Sequence, residues 1–274
     1  MSCLADSSRR FAGGEDGWSA IYWTFRLKSP SLGTPDEQIR RAADWVSVSP
    51  RSVFARFAKL RVVYDDAWIQ RGGALARDTA EDKFRIFHFL LSDLETRLEA
   101  ADADVRDTPL WANLMLATLL DEQRPRRDPA AVFVAGVRRW PRYYDFYEVM
   151  VSRLLPRWGG SWPAVESFIG KSSASLAATD GDSLYARLYV AVFNARYSPD
   201  ETSLNSDRMR TSLRDWLARY PSVENLNLIA STACLLNDGP LFREAYGRLA
   251  VNEVTPSTWY RQIQRNECVA RFIK

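Results

Sequence analysis

The sequence predicts an all-α protein, a right-handed α-solenoid of antiparallel helical hairpins with about twelve or thirteen helices. Three observations carry that expectation. Apolar residues recur at helical spacing along almost the whole chain of 274 residues, with no sustained alternation of the kind a strand shows. Proline and glycine stand between the apolar runs and not inside them. Three of those runs end in the same way, on a residue followed by proline.

Taken in order, residues 1–16 are polar and glycine-rich and are expected to be loosely ordered, leaving 17–274 as a single helical-repeat domain. The first proline-marked end is Asp44-Trp-Val-Ser-Val-Ser-Pro50. A break follows at Arg71-Gly-Gly73, and then Phe84, Phe87, Leu91, Leu94 and Leu98 step by three and four. The second marked end is Gly136-Val-Arg-Arg-Trp-Pro141. Beyond it Tyr143, Tyr147, Met150 and Leu154 form one face, up to the break at Trp158-Gly-Gly160. Leu184, Tyr185, Leu188, Tyr189, Val192 and Phe193 cover more than one stripe, which implies burial on two sides. Met209, Leu213, Trp216, Leu217 and Tyr220 make another face, closed by the third end, Asp215-Trp-Leu-Ala-Arg-Tyr-Pro221, with a later break at Asn237-Asp-Gly239.

A residue before proline is pushed out of the α region, so each proline ends one helix and is expected to open the next at its first position. Pro50 to Pro141 is 91 residues and Pro141 to Pro221 is 80. Each interval holds about two hairpins of tetratricopeptide or related length. A lone hairpin cannot bury its apolar face, which gives a physical reason for stacking.

Composition sets outer limits. A hydrophobic content of 46% with ten tryptophans is ample for a core. The longest apolar runs, Ile86–Leu91 and Leu184–Phe193, are interrupted or bounded by His88, Arg187 and Asn194. Neither approaches the ~18 apolar residues of a membrane span, so a soluble chain is expected. The opening Met1-Ser-Cys-Leu-Ala-Asp lacks the apolar region of a secretory signal. That favours the cytoplasm, with a periplasmic or secreted location left open if a leader has been removed. Cys3, Cys234 and Cys268 are far apart and odd in number, which argues for free or packing thiols over a disulfide framework or a zinc site. A net charge of +3 is too small to imply nucleic acid. Only five of the 37 basic residues are lysine, a bias that a GC-rich genome would also produce.

The segment Leu155-Pro-Arg-Trp-Gly-Gly-Ser161 resembles a signature of a bacterial family known as domain of unknown function 4034. Ala67-Trp-Ile-Gln-Arg-Gly-Gly73 and Gly181-Asp-Ser-Leu-Tyr-Ala-Arg187 look like the same family, so the resemblance spans roughly residues 40–200. It implies a helical-repeat bacterial protein of unassigned activity and brings no catalytic residues with it. The motif also has a physical reading. Pro156 stops a helix after Leu155, and Gly159 and Gly160 permit positive φ in a tight turn. Ser161 caps a helix entered through Trp162-Pro163, with Glu166 in reach of a capping-box-like contact. Trp158 packs into the hairpin apex. In the functional alternative, Arg157 and Trp158 are contacts on an exposed turn.

Local catalytic patterns are mostly missing. His88, the one histidine, lies inside an apolar helix between Phe87 and Phe89 and reads as a core or helix-surface residue. Gly170-Lys-Ser172 resembles the end of a phosphate loop but has Val165 where glycine is required. Asp180-Gly-Asp182 reads as a turn with Asp182 as N-cap. The adjacent pairs Asp36-Glu37, Asp65-Asp66 and Asp121-Glu122 point about 100° apart on a helix and cannot converge on one atom. Carboxylates brought together by the fold would be invisible.

Residues 124–157 carry eight arginines against three carboxylates, interleaved with Trp140, Tyr143, Tyr144, Phe146 and Tyr147. Such a stretch fits a protein-binding surface, a stacking surface for nucleic acid, or core aromatics with solvated arginines. Arg138, Arg139, Trp140, Tyr144, Arg157 and Trp158 are the candidate contacts. The expectation is a non-enzymatic module that binds a protein or peptide partner, with no cofactor, no metal and no nucleic acid. One alternative is an enzyme using carboxylates, Tyr and Arg converging in a pocket; another is a bacterial toxin-immunity or inhibitor protein.

Overall fold

A computed structural model describes residues 34–255, 258–260 and 262–273. The N-terminal segment 1–16 and Cys3 lie outside the described residues. Among those described there are thirteen α-helices and no strand: α1 (Pro35–Val48), α2 (Val53–Arg71), α3 (Glu81–Glu99), α4 (Ala103–Arg106), α5 (Pro109–Asp121), α6 (Pro129–Arg139), α7 (Asp145–Leu154), α8 (Trp162–Asp180), α9 (Ser183–Asn194), α10 (Ser206–Arg219), α11 (Val223–Leu235), α12 (Gly239–Tyr246) and α13 (Gln262–Phe272). No described helix is long and apolar enough to cross a membrane. The described chain forms two compact units, divided between Phe146 and Tyr147.

The three X-Pro steps share one local geometry. The residues before proline, Ser49, Trp140 and Tyr220, have φ/ψ of −138/59°, −130/67° and −137/60°. Each donates its N–H back to a helix carbonyl, from Trp45, Gly136 and Trp216 respectively. Proline Cδ excludes the α region for the preceding residue, and the chain leaves the helix there. The prolines do not open the next helix, contrary to expectation. Serine does so at two of the three, with Ser52 accepting from Ala55 N–H and Ser222 from Asn225 N–H, because a hydroxyl satisfies an orphan donor that proline cannot. The three breaks are alike in turn: Gly72, Gly159 and Asn237 have φ of +78°, +87° and +56°.

In the first unit, α5 packs against α3 and α6 and also touches α2 and α4. Leu110, Leu114, Met115, Leu116 and Leu119 are all buried, so the helix is apolar nearly all round. Ala67, Phe87 and Leu91 form a cluster flanked by Tyr64, Trp68 and Leu90. The buried Asp121 accepts from Tyr64 Oη (2.7 Å) and Trp68 Nε1 (2.9 Å). Its neighbour Glu122 lies 3.6 Å from His88 Nδ1. The two carboxylates thus face different helices, α2 and α3.

In the second unit each helix from α9 to α13 packs on the one before it. Helix α9 is buried along nearly its whole length because α8 and α10 cover both sides. The cysteine expectation is overturned: Cys234 on α11 and Cys268 on α13 form a disulfide, with Cα atoms 5.9 Å apart. The bond joins residues 34 apart in sequence, a distance at which spacing gives no signal, and an odd count hides a single pair.

Candidate functional site

The six residues expected to bind do not behave alike. Arg138 and Arg139 close α6 and are exposed, where a helix C-terminus favours positive charge. Arg139 pairs with Asp107 and its guanidinium lies 4.7 Å from the Trp140 ring centroid. Trp140 is half-buried, against Phe146. Tyr144 is 4% exposed and is a core residue, not a surface contact. Tyr143, Phe146 and Tyr147 are buried with it. A Cβ at Gly136 would come within 2.8 Å of the Phe146 ring, so that glycine admits the aromatic against α6. Most of the aromatics of this stretch therefore fill a core, and the arginines of α6 are explained by their position.

Arg157 and Trp158 lie on the α7–α8 turn, in the second unit, and both are exposed, Trp158 by 37%. Trp158, expected to pack into the apex, is only partly covered there. Pro156–Trp158 is a single 3-10 turn, and Gly159 at φ +87° reverses the chain. Gly160 serves for another reason: a Cβ there would stand 1.9 Å from the Leu154 carbonyl oxygen. Ser161 caps α8 by accepting from Ala164 N–H (3.3 Å). Glu166 lies too far along the helix to complete a capping box, and its carboxylate accepts instead from Tyr185 and Tyr189 on α9.

Around this turn the fold adds residues that the sequence did not single out. The Arg153 guanidinium lies 5.3 Å from the Trp158 ring centroid. Arg157 donates to the Ala195 carbonyl (2.9 Å) and lies 5.2 Å from the Tyr197 ring centroid. Tyr197 meets Trp162 edge-to-face at 4.8 Å. Arg196, between Ala195 and Tyr197, sits at φ +71°. That is the left-handed position after a helix, where glycine or asparagine is the usual occupant. The result is a platform of two arginines and three aromatic rings, built from Arg153, the α7–α8 turn and the residues that end α9, with the exposed Arg196 adjoining it in the chain. Stacked guanidinium groups lose little further freedom on binding, and Arg, Trp and Tyr dominate binding hot spots. An arginine where glycine is easier was the available signal in the sequence.

A second cluster is more deeply buried. Tyr185 and Tyr189 are fully buried, and both donate to Glu166. Burial pushes the Tyr185 hydroxyl up to about 12 and raises that of Tyr189 further. Beside them Asp182 accepts Arg208 Nη2 (2.7 Å) and Nε (2.8 Å), Ser173 Oγ (2.5 Å) and Ser212 Oγ (2.8 Å). Burial opposes ionisation of Asp182, but these donors outweigh it and hold its carboxyl below the usual range. Arg208 also covers the Tyr185 ring at 4.1 Å. Each oxygen of Asp182 already takes two donors, so the cluster is closed on itself and holds α8, α9 and α10 together.

His88 is flanked by Phe84 and Phe87, with Glu122 beside it. Among the described residues, no group of three or more His, Cys, Asp or Glu is placed to hold a metal ion. What fold and site define is an all-α chain of two compact units, the second carrying an arginine–aromatic cluster at the α7–α8 turn. No family model, curated protein or solved structure matches the chain.

Proposed function

We propose that this chain is a non-enzymatic helical-repeat protein, an α-solenoid of tetratricopeptide-like hairpins, that binds a protein or peptide partner through the platform around Arg157 and Trp158. The observation that carries the reading is Trp158 itself. A large ring, 37% exposed, is held on a turn shaped by Pro156, Gly159 and Gly160, with the Arg153 guanidinium over it. A buried ring would be explained by packing alone; an exposed, pre-positioned one fits an anchor for a partner. The equivalence of the three X-Pro ends supports the repeat, and the resemblance of Leu155–Ser161 to the domain of unknown function 4034 family supports the same architecture. A toxin-immunity or inhibitor protein is one form such a binder could take.

The test is site-specific photocrosslinking. A benzophenone amino acid at position 158, used in extract of the native organism, is expected to trap a discrete species. Trapping should be lost when Arg157→Glu is added and absent when the probe sits at exposed Ser152 on α7. No species at position 158, or the same species at both positions, would remove the binding reading. The enzyme alternative draws on the meeting of Glu166, Tyr185, Tyr189, Asp182 and Arg208, but those groups are already satisfied by one another. The binding reading is therefore preferred.

A further inference from the structure

We infer that Cys234–Cys268 is a thiol–disulfide exchange site whose reduction frees the last helix, α13, and nothing before it. The C-terminal segments are unequally held. Among the α13 side chains described, from residue 265 onward, only Cys268 is buried. Among the described contacts of the helix are the Phe272 ring, 5.4 Å from Phe242, and the Phe272 carbonyl, 3.4 Å from Arg243 Nη1; Arg265 Nε is buried as well. In this helix of eleven residues the disulfide therefore carries the one fully buried side chain among those described, and a short helix has little stability of its own.

The segment just before it is fastened independently. Asn227, fully buried on α11, donates to the Glu253 carbonyl (2.9 Å) and accepts from Thr255 N–H (2.9 Å) and Trp259 Nε1 (3.3 Å). Trp259 is 5% exposed and packs against Phe242 and Tyr246. The Tyr260 hydroxyl meets Thr232 Oγ1 at 2.9 Å. The chain as far as Tyr260 is therefore held without the bond, and α13 is the segment that the bond ties down.

The two sulfurs also differ in access. Cys234 is partly exposed, whereas Cys268 is fully buried. The thiolate of an external dithiol reductant would attack the Cys234 sulfur. The S–S bond breaks, its electron pair departs on the Cys268 sulfur, and that sulfur takes up a proton. The second thiol of the reductant then attacks the mixed disulfide and closes its own disulfide. Cys234 is released as a thiolate and protonated in turn. Two electrons pass from the dithiol to the protein, leaving two protein thiols and one oxidised reductant.

Two measurements decide the matter. After denaturation without reductant, the full chain should show one reactive thiol, that of Cys3, and three after reduction. Three at the start would overturn the bond. Amide hydrogen exchange should then lose protection over 262–273 on addition of dithiothreitol and in Cys234→Ser, while 251–255 and 258–260 stay protected. Unchanged protection of 262–273 in both, or loss of protection in both segments together, would overturn the inference. Asn227→Ala in the oxidised chain supplies the reverse pattern, loosening 251–255 while 262–273 remains tethered.

Discussion

Arg196 holds a backbone conformation that costs an L-residue roughly 1–2 kcal/mol relative to the right-handed region. Its φ of +71° ends α9, and its N–H closes that end on the Phe193 carbonyl at 2.9 Å. Arg196→Gly should therefore stabilise the fold, by about 1 kcal/mol once the extra chain entropy of glycine is counted, read as a higher urea midpoint. The same substitution should weaken crosslinking at position 158. A loss of stability would mean that the Arg196 side chain holds the fold, not a partner. The other non-glycine residue of positive φ among those described, Asn237, is of a type suited to the position, so Asn237→Gly should change the midpoint little. At this scale the sequence was informative only where the cause is local. Gly72 and Gly159 were legible as turn residues because an αL position selects for glycine. Tyr144 was misjudged, since a tyrosine among arginines gives no sign of which way it faces.

Among the helices, the Asp182 network is what holds α8, α9 and α10 to one another. The sequence marks Asp182 as an N-cap, and it does occupy that position before α9, but its side chain caps nothing. It is taken up by Ser173, Arg208 and Ser212, between 9 and 30 residues away, and no local pattern encodes partners at such distances. Because the folded-state pKa of Asp182 is lowered, its ionised form stabilises the fold above the unfolded value of about 3.9. That contribution is lost as pH falls through the folded value. Denaturant stability should thus decline on the acid side below about pH 4, and Asp182→Asn should be less stable at neutral pH with a flatter acid limb. An unchanged limb would show that other carboxylates carry the acid transition. The X-Pro helix ends, by contrast, were readable in full, because a proline acts on its immediate neighbour. The expectation that proline also starts the next helix failed, since serine supplies the hydrogen bond that proline lacks.

For the molecule as a whole, helical periodicity and the placement of breaks were enough to give the all-α class. They could not give the disulfide, the platform or the pairing of Glu166 with two tyrosines, all of which are made by residues remote in sequence. The platform has a spectroscopic consequence. Trp158 is the one exposed tryptophan among the described residues, so Trp158→Phe should remove a large share of the emission that acrylamide quenches. If quenching is unchanged, the ring is covered in solution and cannot serve as an anchor. The pair Gly159 and Gly160 would leave a visible mark in a substitution map of the chain. At position 159 the constraint is a torsion angle, so asparagine and aspartate should survive selection beside glycine. At position 160 the constraint is a backbone oxygen 1.9 Å from where a Cβ would stand, and all nineteen replacements carry that atom. Two identical letters, side by side, would then record different histories: one column tolerant of a few residues, and the next empty.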